Sequence, residues 1–182
     1  MSTLKVGTIQ DHANSNTAIN INSSGVVTTP ARPAFRVAKT SGDQSLTTGT
    51  GTKVTFNNVV FEVGGTNIGT TDKFVAPVAG IYHFDTSIRV GPDSNNASFY
   101  NAQLYLKKNS GLHVILQQIS TYANGLGGGE AHLSVLTLSG NITTSLAAGD
   151  EIEVWVLLEG TNPEVISSAA SDYTTFSGFL VG

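Results

Sequence analysis

The chain has 182 residues, enough for one domain and an appendage, and only 12% of them are charged, with a formal net charge of −4. No basic tract exists for a nucleic-acid backbone, and with no cysteine there is no disulfide framework, thiolate nucleophile or cysteine-based metal site. Residues 1–11 carry no apolar core of a signal peptide, and no apolar run nears the ~20 residues of a membrane helix. Ser, Thr, Asn and Gly must cover most of the surface.

Taken in chain order, residues 1–33 stand apart. LKVGTIQD predicts a short strand with Leu4 and Val6 on one face. AININSSGVVT predicts two more, Ile19 and Ile21 then Val26 and Val27, about a Ser-Ser-Gly turn. So few large apolar residues do not offset the entropy of folding alone. This arm needs another chain or sister copies of itself to pack on, and Leu4, Val6, Ile9, Ile19 and Ile21 are its candidate docking residues. TPARP, 29–33, marks the boundary, because its prolines favour extended backbone.

From Ala34 to Gly182 the pattern predicts strands throughout and no helix. AFRVAKT precedes a Gly/Thr-rich loop, and KVTFNNVVFEV follows it. FVAPVAGIYHF, 74–84, holds Pro77 and Gly80 within an apolar run, which predicts a short strand, a corner and a long strand. Beyond the corner Tyr82, Phe84, Thr86, Ile88 and Val90 alternate with His83, Asp85, Ser87 and Arg89, the period of a half-buried strand. SFYNAQLYLKK places Tyr100, Ala102, Leu104 and Leu106 on one face, and KKNSG supplies a turn. LHVILQQIS and AHLSVLTLSGNITTSL are further strands. In 149–158 Ile152, Val154, Val156 and Leu158 alternate with Glu151, Glu153, Trp155 and Leu157, and YTTFSGFLVG is the last strand. Many short strands separated by turns predict an all-β sandwich or jelly roll.

Three spacings within this region are more specific: F-x-A-P-x-x-G-x-Y-x-F from Phe74, L-x-x-G-D from Leu146, and F-S-G-F-L from Phe176. Together with Ala34-Phe35 they resemble, in order, the globular head of the C1q/TNF-like superfamily. The segment 131–146 is longer than usual there, and 124–130 is unusually rich in glycine. The resemblance implies a jelly-roll sandwich of about ten antiparallel strands, with Tyr82, Phe84, Val154 and Val156 in its core, that assembles as a homotrimer. Strands 80–90 and 173–181 would face the threefold axis. His83, Asp85, Ser87, Phe176 and Leu180 are then interface candidates. Some relatives hold calcium near the trimer apex through loop acids. Asp93 and Asp172 are the residues to consider here, although hydrogen-bonding turn formers are their ordinary role.

The arm has its own resemblance. S-T-L-K-V-x-T-I-Q-D followed by I-x-I-x-x-S-G-x-V is similar to N-terminal segments of structural proteins in tailed-phage virions, those of marine cyanobacterial phages especially. Together the two imply a non-enzymatic virion component, assembled in the host cytoplasm, with an arm (1–33) that docks on other virion proteins and a knob (34–182). A tail-associated fibre or knob touching a host-surface glycan or protein is the first reading. A capsid decoration protein and a bacterial C1q-like adhesion or carbohydrate-binding module are the alternatives. No cofactor, nucleic acid or membrane insertion is expected.

Motifs for chemistry are few. NGLGGGE, 124–130, precedes a strand rather than the helix that a phosphate cradle requires. Glu151 and Glu153 sit ~6.6 Å apart on one strand face, a separation an inverting glycosidase could use, but a convex sheet face with no cleft implied suits two solvated charges better. His12, His83, His113 and His132 are scattered. Trp155, on the polar side of its strand, is either an anchor for a partner or a ring shielded by a neighbouring loop.

Overall fold

The structure is a computed structural model, described here for residues 5–93, 99–121, 133–170 and 173–182. Leu4, His132, Asp172 and the glycine-rich loop 124–130 lie outside the described residues. The arm contributes β1 (Thr8–Gln10), β2 (Thr17–Ile21) and β3 (Val27–Thr28), an antiparallel meander in that order. The knob begins with β4 (Ala34–Ala38), β5 (Gln44–Ser45), β6 (Thr52–Lys53) and β7 (Asn58–Val63), followed by one helical turn, α1 (Ile68–Thr71). It continues with β8 (Phe74–Val75), β9 (Gly80–Pro92), β10 (Phe99–Lys108), β11 (Gly111–Ser120) and β12 (Leu136–Leu146). The last strands are β13 (Glu151–Gly160), β14 (Pro163–Val165) and β15 (Thr175–Leu180).

Two antiparallel sheets form the knob. In the larger one β9 is central, paired along its length with β12 and on its other edge with β15, which leads on to β4 and β7. Short β14 and β5 extend the same sheet beside the end of β9. The smaller sheet runs β11–β10–β13, with β6 and β8 both on the far edge of β13. The result is an all-β jelly roll of the C1q/TNF-like kind.

The corner at Pro77–Gly80 passes the chain from one sheet to the other. Phe74–Val75 pairs with β13 in the smaller sheet, whereas Gly80 opens β9 in the larger. The Tyr82 hydroxyl locks the corner by donating to the Val78 carbonyl at 2.8 Å. A Cβ at position 80 would sit 2.6 Å from the tip of Leu180 and 3.2 Å from the Gly182 carbonyl, so glycine fits this close approach without displacing either.

The sequence spacings that were singled out meet in space. Ala76 N–H donates to the Asp150 carbonyl, and Gly149 N–H, at φ +86°, donates to the Ala76 carbonyl, both at 2.8 Å. Gly178 of F-S-G-F lies beneath Phe84 and Phe35, where even a Cβ would sit 2.6 Å from the Phe84 ring. The core is an aromatic cluster in which Phe35 contacts Phe74 at 5.4 Å and Phe176 at 4.9 Å, and Phe74 meets Tyr82 and Phe84 edge-on at 5.1 Å. Tyr82, Phe84, Val154 and Val156 are all fully buried in it.

The structure corrects the sequence reading at several places. Tyr100 does not share the buried face of its strand; Phe99 does. A register shift against β13 between Phe99 and Asn101 inserts one residue and exchanges the faces there. Val6 precedes β1 rather than lying in it. KVTFNNVVFEV is two strands in different sheets, because the chain crosses the sandwich between Lys53 and Asn58.

Candidate interaction surface

Antiparallel register sets which side chains share the outward face of the larger sheet. His83 lies between Thr143 of β12 and Phe179 of β15, and the row continues through Ala34 to Val63. The next row holds Asn141, Asp85, Ser177, Arg36 and Phe61. Ser139, Ser87 and Thr175 follow. At the near end Ile81 meets Val181, whose N–H donates to the Ile81 carbonyl at 2.7 Å.

Register therefore sorts this face into an apolar end and a polar middle. Ile81, Phe179 and Val181 are exposed beside one another, and Phe61 and Val63 are exposed on edge strand β7. In the middle His83 Nε2 lies 3.1 Å from Asp85 Oδ2, while its Nδ1 lies 2.8 Å from the Thr143 hydroxyl. The His83 ring also tilts against Phe179 at 5.4 Å. Ser87 donates to the Tyr173 carbonyl, and the Arg89 guanidinium covers the Tyr173 ring at 4.3 Å. His83, Asp85 and Ser87 thus all lie on the outward face.

Phe176 and Leu180 do not. Phe176 is opposite Thr86 and Val37, both inward-facing, and is 0% exposed against Phe35, Phe56 and Phe84. Leu180 shares that parity and packs partly buried against the core. The outward aromatic of F-S-G-F is Phe179, 47% exposed. Gly178 carries the signal that could have settled this: a residue with no side chain marks the inward position where Phe84 and Phe35 cross the strand.

On the smaller sheet, Trp155 is half-buried and already engaged within the chain. Its indole N–H donates to Glu153 Oε2 at 3.0 Å, Tyr105 stacks beside it at 6.4 Å, and the Lys107 ammonium sits 3.5 Å from its ring centre. Lys107, with Tyr105 and Glu153, shields the ring, rather than a loop alone. Glu151 and Glu153 are each held by a lysine, Lys73 at 2.6 Å and Lys53 at 3.7 Å, and so do not act as a carboxylate pair.

The L-x-x-G-D turn holds a well-satisfied carboxylate. Asp150 accepts from Lys108 Nζ at 2.7 Å, from Asn109 Nδ2 at 2.8 Å and from the Ala147 N–H at 2.8 Å. These donors hold its carboxyl down to about 2. Glu164 is shifted the other way by burial and by the nearby charges of Asp43 and Asp93. The backbone of Asp93 is anchored in turn, its N–H donating to the Asn162 carbonyl at 3.0 Å. Among the described residues no three His, Asp or Glu side chains gather as metal ligands would.

A jelly roll with this strand order and these motifs defines a class before any comparison is made. The C1q domain family matches residues 34–181, and the chain belongs to that family. Among solved structures it is similar to the globular domain of zebrafish complement 1qA, with 20% identity, TM-score 0.50, and 83% of this chain and 98% of that one covered. It is also similar to murine APRIL at pH 5.0, with 13% identity, TM-score 0.55, and 82% and 98% covered. Both likenesses concern the fold. No curated protein matches the chain. Domains of the C1q/TNF-like kind are generally binding or structural modules rather than enzymes.

Proposed function

We propose that the protein is a structural component of a phage virion that assembles as a homotrimer through the outward face of its larger sheet, docks on the particle by its arm and presents its knob outward. The observation that carries self-association is the apolar end of that face, where Ile81, Phe179 and Val181 are each nearly half exposed. A contiguous apolar patch of this kind on an outward sheet face is what a subunit contact would cover. Closed threefold symmetry uses such a face in every copy. The virion assignment rests on the resemblance of the arm's sequence. Light scattering tests the trimer, with a mass of about three times 18.9 kDa expected. A monomer at micromolar concentration would overturn it. Density for the knob at the tail or on the capsid of a reconstructed particle tests the location.

The shape of the arm favours capsid decoration over a long fibre. Fully extended, thirty residues would reach ~100 Å, but the meander folds them back on themselves twice. The knob then stands close to whatever the arm holds. Contact of the knob with a host-surface glycan or protein belongs to the tail-associated reading.

A further inference from the structure

The arm is one-sided. Ile9 pairs with Ile19 and Ile21 pairs with Val27, so these four side chains share one face of the meander. Thr8, Asn20 and Thr28 share the other. Ile9 and Val27 are exposed, and Ile19 and Ile21 are only half-buried. A sheet with one apolar face must bury that face against another element.

The root of the arm indicates what supplies that layer. Arg32 donates through Nε to the Leu180 carbonyl at 2.8 Å and through Nη2 to the Val181 carbonyl, and Leu180 N–H donates to the Pro33 carbonyl at 2.9 Å. The arm is thus pinned to the chain's last strand beside Phe179, Val181 and Ile81. Between Thr28 and Pro33 the chain spans at most about 18 Å. Ala18 of β2 also lines the same hollow as Arg32, Pro33 and Pro77. The meander therefore sits at the apolar end of the proposed subunit contact. None of these four side chains is charged, and Asp11, the arm's one acidic residue, lies in the β1–β2 turn, where it accepts from the N–H groups of Ala13 and Asn14. Identical copies of these four side chains meet with no charge to bury.

We infer that the Ile9/Ile19/Ile21/Val27 face is covered by the same face of sister arms, so that three meanders form a β stalk beneath three knobs. This rests on the trimer reading above. It leaves the free edges of β1 and β3 to meet the particle, and strand addition at such an edge needs no apolar face.

The chain has no cysteine, so one introduced residue places a sole thiol per subunit. Ile19→Cys and Ile21→Cys report on the apolar face, and Thr8→Cys and Asn20→Cys report on the other. Each full-length variant is weighed by light scattering, oxidised, and run on a non-reducing gel. Ile19→Cys and Ile21→Cys are expected to give a covalent dimer beside a free chain, to the same extent on tenfold dilution. Thr8→Cys and Asn20→Cys are expected to stay unlinked, since a disulfide needs Cβ atoms ~4 Å apart. Trimeric mass with no linkage, with linkage on both faces, or with linkage that falls on dilution overturns the stalk and leaves the trimer standing. Monomeric mass overturns both.

Discussion

Phe176 and Phe179 are three residues apart in one strand and answer to different neighbours. Phe176 fills the aromatic core, so Phe176→Ala is expected to lower stability by on the order of 3–5 kcal/mol, read from denaturant unfolding. Phe179 has a largely open face, so Phe179→Asp is expected to leave the fold intact and dissociate the trimer. Circular dichroism unchanged from the parent, together with a mass near 18.9 kDa, is the expected result. A folded trimer would move the contact elsewhere on the knob. Asp150 makes a pH prediction at the same scale. Its carboxyl is lowered from 3.8 to about 2, chiefly by hydrogen bonds from Lys108 and Asn109. A depressed carboxyl stabilises the folded state above its unfolded value and loses that contribution as pH falls through the folded value. Tm measured against pH should therefore show Asp150→Asn below the parent by a constant margin above pH 4. The margin should close between about pH 4 and pH 2. A gap that persists at pH 2 would assign the effect to lost hydrogen-bond geometry rather than to charge.

Among the elements, the β10–β11 hairpin shows how turn chemistry and packing interlock. Asn109 and Ser110 have φ of +50° and +69°, the pair of left-handed residues that a tight two-residue hairpin turn needs. Asn109 suits that conformation and also works outside it, accepting from Glu151 N–H at 2.9 Å while its amide reaches Asp150. Ser110 is exposed and makes the turn at a steric cost that glycine would not bear. Ser110→Gly is expected to raise stability by up to about 1 kcal/mol, checked by chemical denaturation. A loss would mean that the hydroxyl supports the turn. At this scale the legibility of the sequence also divides. β9 and β13 alternate cleanly because Tyr82, Phe84, Ile88 and Val90 share one parity in the first and Ile152, Val154, Val156 and Leu158 share one in the second, and these sets are buried as read. β15 carries a phenylalanine on each parity, so periodicity marks two apolar faces without saying which is the core. The Glu151 and Glu153 partners come from β6 and from the segment before β8, dozens of residues upstream, and no local pattern announces them.

At the scale of the whole molecule, the arm and the knob meet at one root, held by Arg32 and Pro33 against the last strand. The aromatic core contains no arm residue. A chain that starts at Pro33 is therefore expected to stay folded and trimeric, with a modest loss of Tm from the missing Arg32 bonds, yet to be absent from assembled particles. Scanning calorimetry, light scattering and particle composition check the three parts. Normal occupancy on particles would make the knob the attachment surface.

The sequence by itself determined the all-β class, the alternating strands and the corner at Pro77–Gly80, because these depend on local periodicity and on backbone restrictions of single residues. Tertiary structure alone decided that Phe176 is core and Phe179 is surface, that Phe99 replaces Tyr100 inside, and that Trp155 is held beneath Lys107. The physical reason is register. A strand's alternation defines two faces, but which one meets the core follows from the strands beside it, and a single inserted residue, as between Phe99 and Asn101, exchanges them.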